Sequence, residues 1–232
     1  GGAMPPRRVV LAVAVVGASR RDTNLGRRVF DSLLASKFNG PVYPVNPSTL
    51  ELNGRRCYST ACDLPSGVDL AVIAVPRESV ITAVDDCAAA GIRGIVVISA
   101  GFAETDGRGR ELQAELVERV RSYGMRMLGP NCMGVINTDP AIRLNASFAE
   151  RLPPTGRIAL ASQSGGLGLA VLNLAATRQL GLSTFVSLGN KADISGNDLL
   201  QYAEQDPATS VVLLYLESFG NPRRFGQLAR RV

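Results

Sequence analysis

The sequence of 232 residues contains no histidine and no tryptophan. The absence of histidine removes the side chain that most often acts as a general base near neutral pH, and with it the side chain that forms phosphohistidine. It also leaves poor material for a zinc or iron site, because the four cysteines include no C-x-x-C pair: Cys57, Cys62, Cys87 and Cys132. We therefore predict no metal site and four reduced thiols, as in cytoplasmic proteins.

Long hydrophobic runs are also missing. The apolar stretches fall well short of the roughly 20 residues that a membrane span needs. Residues 1–4 precede the first basic residues, and they include no long apolar segment. We therefore interpret them as residues added for expression, together with the starting Met4, and not as a signal peptide. These absences favour a cytoplasmic protein that is not inserted in a membrane.

The charge is moderately basic, with a formal net value of +5. The arginines are scattered and no aromatic residues are interleaved with them, which argues against nucleic acid as the partner. A small ligand that carries phosphate explains the bias equally well. Hydrophobic residues make up 46% of the chain, which is enough for one large domain or two smaller ones.

Short aliphatic or β-branched runs alternate with amphipathic stretches along most of the chain. This alternation predicts an α/β fold with a doubly wound, mostly parallel sheet. The predicted strands are residues 9–16, 42–45, 68–75, 94–99, 125–128, 157–161, 183–188 and 210–216. The predicted helices are residues 25–37, 79–90, 111–123, 165–180, 195–205 and 222–232.

The alternation loosens between residues 137 and 156, which predicts two domains, at residues 5–140 and 152–232. Only three predicted strands fall in the second range, which is few for a parallel sheet. We therefore expect a natural gene that continues past Val232 and a second domain that is truncated here. An apolar edge exposed in this way would favour pairing with a second copy, that is, a homo-oligomer.

A phosphate-binding turn is predicted between the first strand and the first helix. Two glycines there allow the backbone to approach an anion closely, and the helix start offers N–H groups and a positive dipole. An ordinary tight turn is the alternative interpretation. The candidate cofactor-binding residues of this turn are Gly17, Ala18, Ser19, Arg20, Asn24 and Gly26.

The second strand is followed by Val45, Asn46 and Pro47, where a dinucleotide-binding fold has an acidic residue for the ribose. The glycine spacing after the first strand also departs from G-x-G-x-x-G, so we rank NAD below other nucleotides. Asn46 can bond an adenine or ribose edge, and Pro47 stiffens the wall beside it. A turn that merely ends the strand is the alternative.

Further candidate cofactor-binding residues follow two later strands: Val75 and Pro76, and then Ser99, Ala100, Gly101 and Phe102. Since the carboxyl ends of parallel strands meet at one edge of a sheet, we expect these residues to share an edge with Gly17. Asn131 follows a Gly-Pro bond of a kind that can be cis, and it can hold neighbouring backbone groups. A structural turn is the alternative there.

In the second range, a turn rich in serine and glycine suits a phosphoryl group: Ser162, Ser164, Gly165 and Gly166. The turn resembles a nucleophile elbow, but a chain without histidine lacks the usual base for Ser164, so serine hydrolysis is disfavoured. Ser195 and Asp198 are spaced to cap a helix. Glu217 ends the last predicted strand, and we interpret it as a functional carboxylate.

Together these segments resemble the α part of the succinyl-CoA synthetase superfamily, and most closely the NDP-forming acetate–CoA ligases, over essentially the whole chain. The resemblance is carried by a series of ordered motifs: V-G-A-S at 16–19, Y-P-V-N-P at 43–47, D-L-A-V-I-A-V-P at 69–76, S-A-G-F at 99–102, L-G-P-N-C at 128–132, S-Q-S-G-G at 162–166 and S-L-G-N-K at 187–191. It implies a Rossmann-like CoA-binding domain followed by a flavodoxin-like ligase domain.

The resemblance also implies a reaction. In this family an acyl phosphate forms, its phosphoryl group moves to a histidine, CoA captures the acyl group, and an ATP-grasp β domain or subunit passes the phosphate to ADP with Mg²⁺. By resemblance, the helix start at Ser164 points at the phosphohistidine and Glu217 contacts it. The thiol of CoA would reach toward Asn131 and Ser164. Glu217, Asn131 and Ser164 are therefore the candidate catalytic residues.

The chain departs from the family because the histidine and the ATP-grasp domain would fall beyond Val232, so we expect it to be inactive by itself. Similar chains are also fused to GCN5-like acetyltransferase domains, where the ligase-like part senses acyl-CoA without turnover. This regulatory role is the alternative function. An NAD-dependent dehydrogenase is a third and less favoured hypothesis.

Overall fold

The computed structural model describes residues 10–231. Some predictions therefore lie outside the described residues. They are the interpretation of residues 1–4, the start of the first domain at residue 5, the first residue of the first strand and the last helical residue, Val232.

The chain forms two α/β units in succession. The strands are β1 Val13–Val16, β2 Val42–Val45, β3 Glu51–Leu52, β4 Arg55–Arg56, β5 Leu70–Ile73, β6 Gly94–Val97, β7 Arg126–Leu128, β8 Gly134–Asn137, β9 Leu144–Ser147, β10 Thr155–Ser162, β11 Leu182–Ser187 and β12 Val211–Tyr215. The helices are α1 Leu25–Ala35, α2 Val80–Ala89, α3 Gly107–Ser122, α4 Gly165–Arg178, α5 Gly196–Ala203 and α6 Pro222–Leu228.

The first sheet has five parallel strands in the order β2-β1-β5-β6-β7, which confirms the predicted Rossmann-like, doubly wound arrangement. Helix α1 packs on one face of this sheet, while α2 and α3 pack on the other. Strand β1 is shorter than predicted because the amides of Leu11 and Ala12 donate to the carboxylate of Asp69, at 2.8 and 3.1 Å, before the ladder begins.

The second sheet also has five strands, in the order β12-β10-β11-β8-β9, and residues 152–232 supply three of them, as many as the sequence predicted for that range. Strands β10, β11 and β12 are parallel, as predicted, whereas β8 pairs antiparallel with β11 and β9 antiparallel with β8. The other two strands, β8 and β9, were not predicted, because four residues are too few to show a clear hydrophobic period. Strand β8 belongs to residues 5–140 by sequence but hydrogen-bonds within the second sheet; the division into 5–140 and 152–232 stays a prediction.

The two sheets share a hydrophobic core. Phe30 and Leu33 of α1 are fully buried beside Ala146 of β9 and Val186 of β11. Full burial of a large apolar side chain contributes roughly 1.5–3 kcal/mol, so these contacts hold the second sheet against α1. The relative position of the loops at the ends of the two sheets is set by this shared core.

Helix boundaries follow their caps. The carboxamide oxygen of Asn24 accepts from the amide of Arg27 at 2.8 Å, so α1 starts where predicted. Ser195 and Asp198 form the predicted capping box of α5. Helix α3 begins four residues earlier than predicted because Asp106 caps the amide of Gly109 at 2.9 Å. Within residues 10–231, the structure contains no helix with the length and apolar character required to span a bilayer.

Candidate functional site

The first candidate site lies where β1 ends and α1 begins. Gly17 has a φ of +95°, and a Cβ there would lie 2.3 Å from the carbonyl oxygen of Ala74. A Cβ on Gly26 would lie 2.6 Å from the carbonyl oxygen of Gly17. Both positions therefore require glycine, since the turn after β1 is held between the end of β5 and the start of α1. This geometry brings the first turn of α1 to the carboxyl edge of the first sheet.

The turn after β1 is joined to the turn after β2. The side-chain amide of Asn46 donates to the carbonyl oxygen of Ala18 at 2.9 Å, and its carboxamide oxygen accepts from the amide of Ser48, also at 2.9 Å. The side chain of Asn46 is therefore bonded within the protein, and its contact with a ligand stays a prediction. Pro47 and Arg20 beside it are exposed, while Ser19 is half-buried.

The turns after β5, β6 and β7 continue the same edge. The hydroxyl of Ser99 donates to the carbonyl oxygen of Val75 at 2.5 Å, and the amide of Asn131 donates to the carbonyl oxygen of Ser99 at 2.9 Å. The side chain of Phe102 is buried in the core, so of this predicted segment Ala100 is the exposed part. The Gly129–Pro130 peptide before Asn131 is cis, as the sequence suggested.

Asn131 connects this edge to the second sheet. Its side-chain amide donates to the carboxamide oxygen of Asn190 at 3.2 Å, in the turn after β11. Asn190 in turn donates to the carboxylate of Glu104 and, at 2.9 Å, to the side-chain oxygen of Gln113. The sequence analysis did not identify Glu104 or Gln113, although Glu104 follows the S-A-G-F segment by two residues.

Glu104 is held as a carboxylate at this junction. Burial raises its pKa, but hydrogen bonds from Asn190 and from the amides of Gly101 and Phe102 outweigh that effect and bring the pKa below its usual value. The negative charge therefore persists where the first and second sheets meet.

The predicted phosphate-binding turn lies between β10 and α4. Ser164 caps α4 by accepting from the amide of Leu167 at 3.3 Å, and the buried hydroxyl of Ser162 donates to the carbonyl oxygen of Ser164 at 2.7 Å. Gly166 is exposed, and a Cβ there would meet no atom within 4 Å. The start of α4 is thus an open helix N-terminus, a backbone arrangement that favours anions.

Glu217 follows β12 beside this turn. Its carboxylate accepts from the side-chain amide of Gln163 at 3.3 Å, and its own amide donates to the side-chain oxygen of Gln163 at 3.0 Å. The ammonium of Lys191 donates to that oxygen at 3.4 Å and to the hydroxyl of Ser218 at 2.7 Å. Burial lowers the pKa of Lys191, and the nearby carboxylate of Glu217 opposes that shift. Gln163 and Lys191 belong to quoted motifs but were not predicted as site residues.

The structure therefore arranges the predicted residues as one series of connected turns. The turns after β1, β2, β5, β6 and β7 lie at the carboxyl edge of the first sheet, and Asn131 links them to the turn after β11. That turn is linked to the start of α4, since the amide of Leu188 donates to the carbonyl oxygen of Ser162 at 2.8 Å. Chemically, the series offers two helix starts and two cationic side chains, Arg20 and Lys191, to an elongated anionic ligand.

Comparison with known proteins explains this arrangement. Residues 12–138, more than half of the chain, match the CoA binding domain family. The chain belongs to the CoA binding domain family. Residues 155–232 of this CoA-binding chain match the succinyl-CoA ligase like flavodoxin domain. Both matches agree with the resemblance inferred from the motifs, and the predicted fold class is confirmed.

Several relatives of this CoA-binding chain are ADP-forming ligases. It is 43% identical over 220 residues to acetate–CoA ligase [ADP-forming] I of Archaeoglobus fulgidus, covering 95% of this chain and 32% of that enzyme. It is 40% identical to the α subunit of acetate–CoA ligase [ADP-forming] I of Pyrococcus furiosus, covering 95% of this chain and 48% of that subunit.

A solved structure agrees with these sequences. The dinucleotide-forming acetyl-coenzyme A synthetase 1 of Candidatus Korarchaeum cryptofilum, in complex with phosphate and ADP, superposes with a TM-score of 0.90 and 44% identity. The alignment covers 96% of this chain and 48% of that one. The chain thus spans between about a third and a half of the length of these relatives.

Proposed function

We propose that this chain is the CoA-binding part of an ADP-forming acyl-CoA ligase, which makes acyl-CoA from a carboxylic acid, CoA and ATP. The observation that carries the proposal is the connected series of turns from Gly17 to Glu217. CoA is an elongated, polyanionic molecule, and it needs a phosphate site at one end and a reactive site for its thiol at the other. The two helix starts, at α1 and α4, are suited to these two ends.

In this proposal the diphosphate of CoA binds at Ser19, Arg20 and the start of α1, where Gly17 and Gly26 allow the backbone to come close. The adenine lies against Pro47 and the backbone of Asn46, because the Asn46 side chain is used to brace the turns. The pantetheine arm passes the turns that follow β5 and β6.

At the other end, the thiol lies near Asn131 and the start of α4, where the acyl phosphate is also bound. The helix start and Lys191 stabilise the negative charge of the phosphoryl group. Glu217, held by Gln163, orients the histidine that receives the phosphoryl group. Since this chain contains no histidine, that residue comes from another segment or subunit, and an ATP-grasp β domain or subunit is the partner that transfers phosphate to ADP.

Calorimetric titration of the chain with CoA tests the proposal. We expect saturable binding of CoA and no saturable heat with NAD or ADP. Ser19→Asp places a negative charge beside the diphosphate and should weaken CoA binding at least tenfold. Ser66→Asp adds the same charge in an exposed turn before β5, at the other end of the first sheet, and should leave the affinity unchanged. Binding of NAD without binding of CoA would refute the proposal and favour the dehydrogenase.

A second experiment separates the ligase from the regulatory alternative. In a longer protein that includes this chain, Glu217→Gln should lower acyl-CoA formation while the dissociation constant for CoA stays the same. A longer protein that binds CoA, lacks ligase turnover and acetylates lysine would instead establish the acyl-CoA-sensing role.

A further inference from the structure

A cavity of about 670 Å³ lies between the two sheets, at the ends where β5, β6 and β7 begin. The first sheet and the second unit supply facing apolar walls: Leu70, Val96, Leu128, Val135, Val186 and Leu199. This volume falls in the range of roughly 300–1,000 Å³ that small-molecule sites occupy. The candidate CoA site is at the opposite ends of β5 and β6, and the cavity comes nearest to it at Leu128 and Ile194.

One polar side chain in the wall has an unused hydrogen-bonding group. Thr184 and Val186 are two residues apart on β11, so they share the face toward the cavity. Thr184 is 6% exposed, and among the described residues its Oγ1 has no hydrogen-bond partner. By contrast, Thr138 in the same wall donates its hydroxyl to the carbonyl oxygen of Leu182 at 2.5 Å. Since Thr184 also lines the cavity, its hydroxyl is an unused polar group in the cavity wall.

The charged groups around the cavity disfavour an anion. The carboxylates of Asp139 and Asp198 line it. Arg126 also lines it, but its guanidinium is already bonded to Asp193 at 2.9 Å and to Asp198 at 3.5 Å. A carboxylate or phosphate that entered would therefore face these two carboxylates and a guanidinium that is already paired, in contrast to the basic edge proposed for CoA.

We propose that this cavity is a second ligand site, which binds a small neutral molecule with an apolar body and one hydrogen-bonding group that pairs with Thr184. The apolar walls supply the binding energy through burial, and the hydroxyl of Thr184 orients the ligand. This site takes a different chemical class from CoA, and it is independent of the proposed ligase function.

Benzyl alcohol is a suitable probe, followed by the backbone amide signals of the chain in NMR. We expect saturable shifts confined to the cavity walls, including the amides of Leu128, Val135 and Thr184. Benzoate has the same ring with a negative charge and should bind at least tenfold more weakly. Thr184→Val should weaken benzyl alcohol about two- to tenfold, the value of one net hydrogen bond, and leave toluene unchanged.

Ala208→Phe provides an independent variant, because Ala208 is an exposed lining residue and the larger side chain fills the mouth of the cavity without disturbing the core. It should abolish the shifts for both benzyl alcohol and toluene. The proposal is overturned if the shifts are absent or scattered over the surface, if benzoate binds as well as the alcohol, or if a crystal soaked in benzyl alcohol holds only water in the cavity.

Discussion

The carboxylate of Asp193, in the turn after β11 of the second sheet, accepts a 2.9 Å bond from Nε of Arg126 at the start of β7 in the first sheet. The same carboxylate oxygen accepts from the amide of Met127 at 2.9 Å, and the Asp193 side chain is only 4% exposed. The following amide of Ile194 donates to the carbonyl oxygen of Met127 at 3.1 Å. The segment after β11 therefore runs along the edge strand of the first sheet and joins the two sheets.

Replacing Asp193 by alanine should lower the free energy of unfolding by about 2 kcal/mol, because a buried amide and a guanidinium lose their acceptor together. Urea denaturation at neutral pH measures the change. Arg121→Ala is the matched control, since Arg121 bonds the same carboxylate at 3.3 Å but is 61% exposed, and it should cost less than about 1 kcal/mol. Equal effects for the two variants would contradict a role for the buried carboxylate.

Gly26→Ala should be strongly destabilising, by about 1–3 kcal/mol, because its Cβ would overlap the carbonyl oxygen of Gly17 at 2.6 Å. Gly226→Ala in α6 meets no atom within 4 Å and should stabilise by about 0.5–1 kcal/mol through helix propensity. Thermal unfolding distinguishes the two. If Gly26→Ala were neutral, the close packing of α1 on the turn after β1 would be wrong.

The stabilising effect of Glu104 should depend on pH. Its pKa is lower in the folded chain than the unfolded value of about 4.3, so its contribution is present above that value and is lost as the pH falls through the folded pKa. Because Glu104 is exposed and water screens its charge, we expect Glu104→Gln to reduce the free energy of unfolding by only about 0.5 kcal/mol at pH 7, with the difference from the native sequence shrinking below about pH 4.

Urea titrations at several pH values between 7 and 3.5 measure this difference. Glu111→Gln serves as control, because Glu111 forms an exposed ion pair with Arg108 at 3.2 Å and should change stability by less than about 0.5 kcal/mol throughout. A difference for Glu104→Gln that stays constant down to pH 3.5 would show that the lost interaction is steric and not ionic.

The four cysteines should differ in reactivity. All are free thiols, and Cys62 is the exposed one. Burial raises the pKa of Cys132, and that of Cys87, to about 12, so their thiolates are scarce at neutral pH. We expect an alkylating reagent at pH 7.5 to modify one thiol in the native chain and four after denaturation, as counted by mass spectrometry. Cys62→Ser should abolish the native reaction, and persistent labelling of that variant would refute the assignment.

Local sequence signals predicted the strands of the first sheet and the capping box of α5. Ser195 and Asp198 lie three residues apart, so their spacing was sufficient to identify this cap. Most parallel strands of the first sheet are aliphatic runs bounded by glycine or proline, so they could be predicted from the sequence. The site residues at the ends of those strands followed from the rule that carboxyl ends share an edge.

The pairing of strands that lie far apart in the chain could not be predicted from the sequence. Strand β8 carries four residues and pairs with β11 about fifty positions later, so nothing near β8 indicates its partner. Glu104 was overlooked for the same reason, because its importance depends on Asn190, which lies 86 residues away. The hydrogen bond from Asn46 to Ala18 was not predicted either, because the two residues lie 28 positions apart; the role of Asn46 toward a ligand stays a prediction.

The sequence by itself therefore determined the α/β class, the order of the motifs and the positions of the glycine-rich turns, because each depends on residues close together in the chain. The tertiary structure decided which strands complete the second sheet, how Asp193 and Asn190 join the two sheets, and where a cavity remains between them. These features depend on contacts between distant segments, whose free energy exists only once both sheets have formed and packed together.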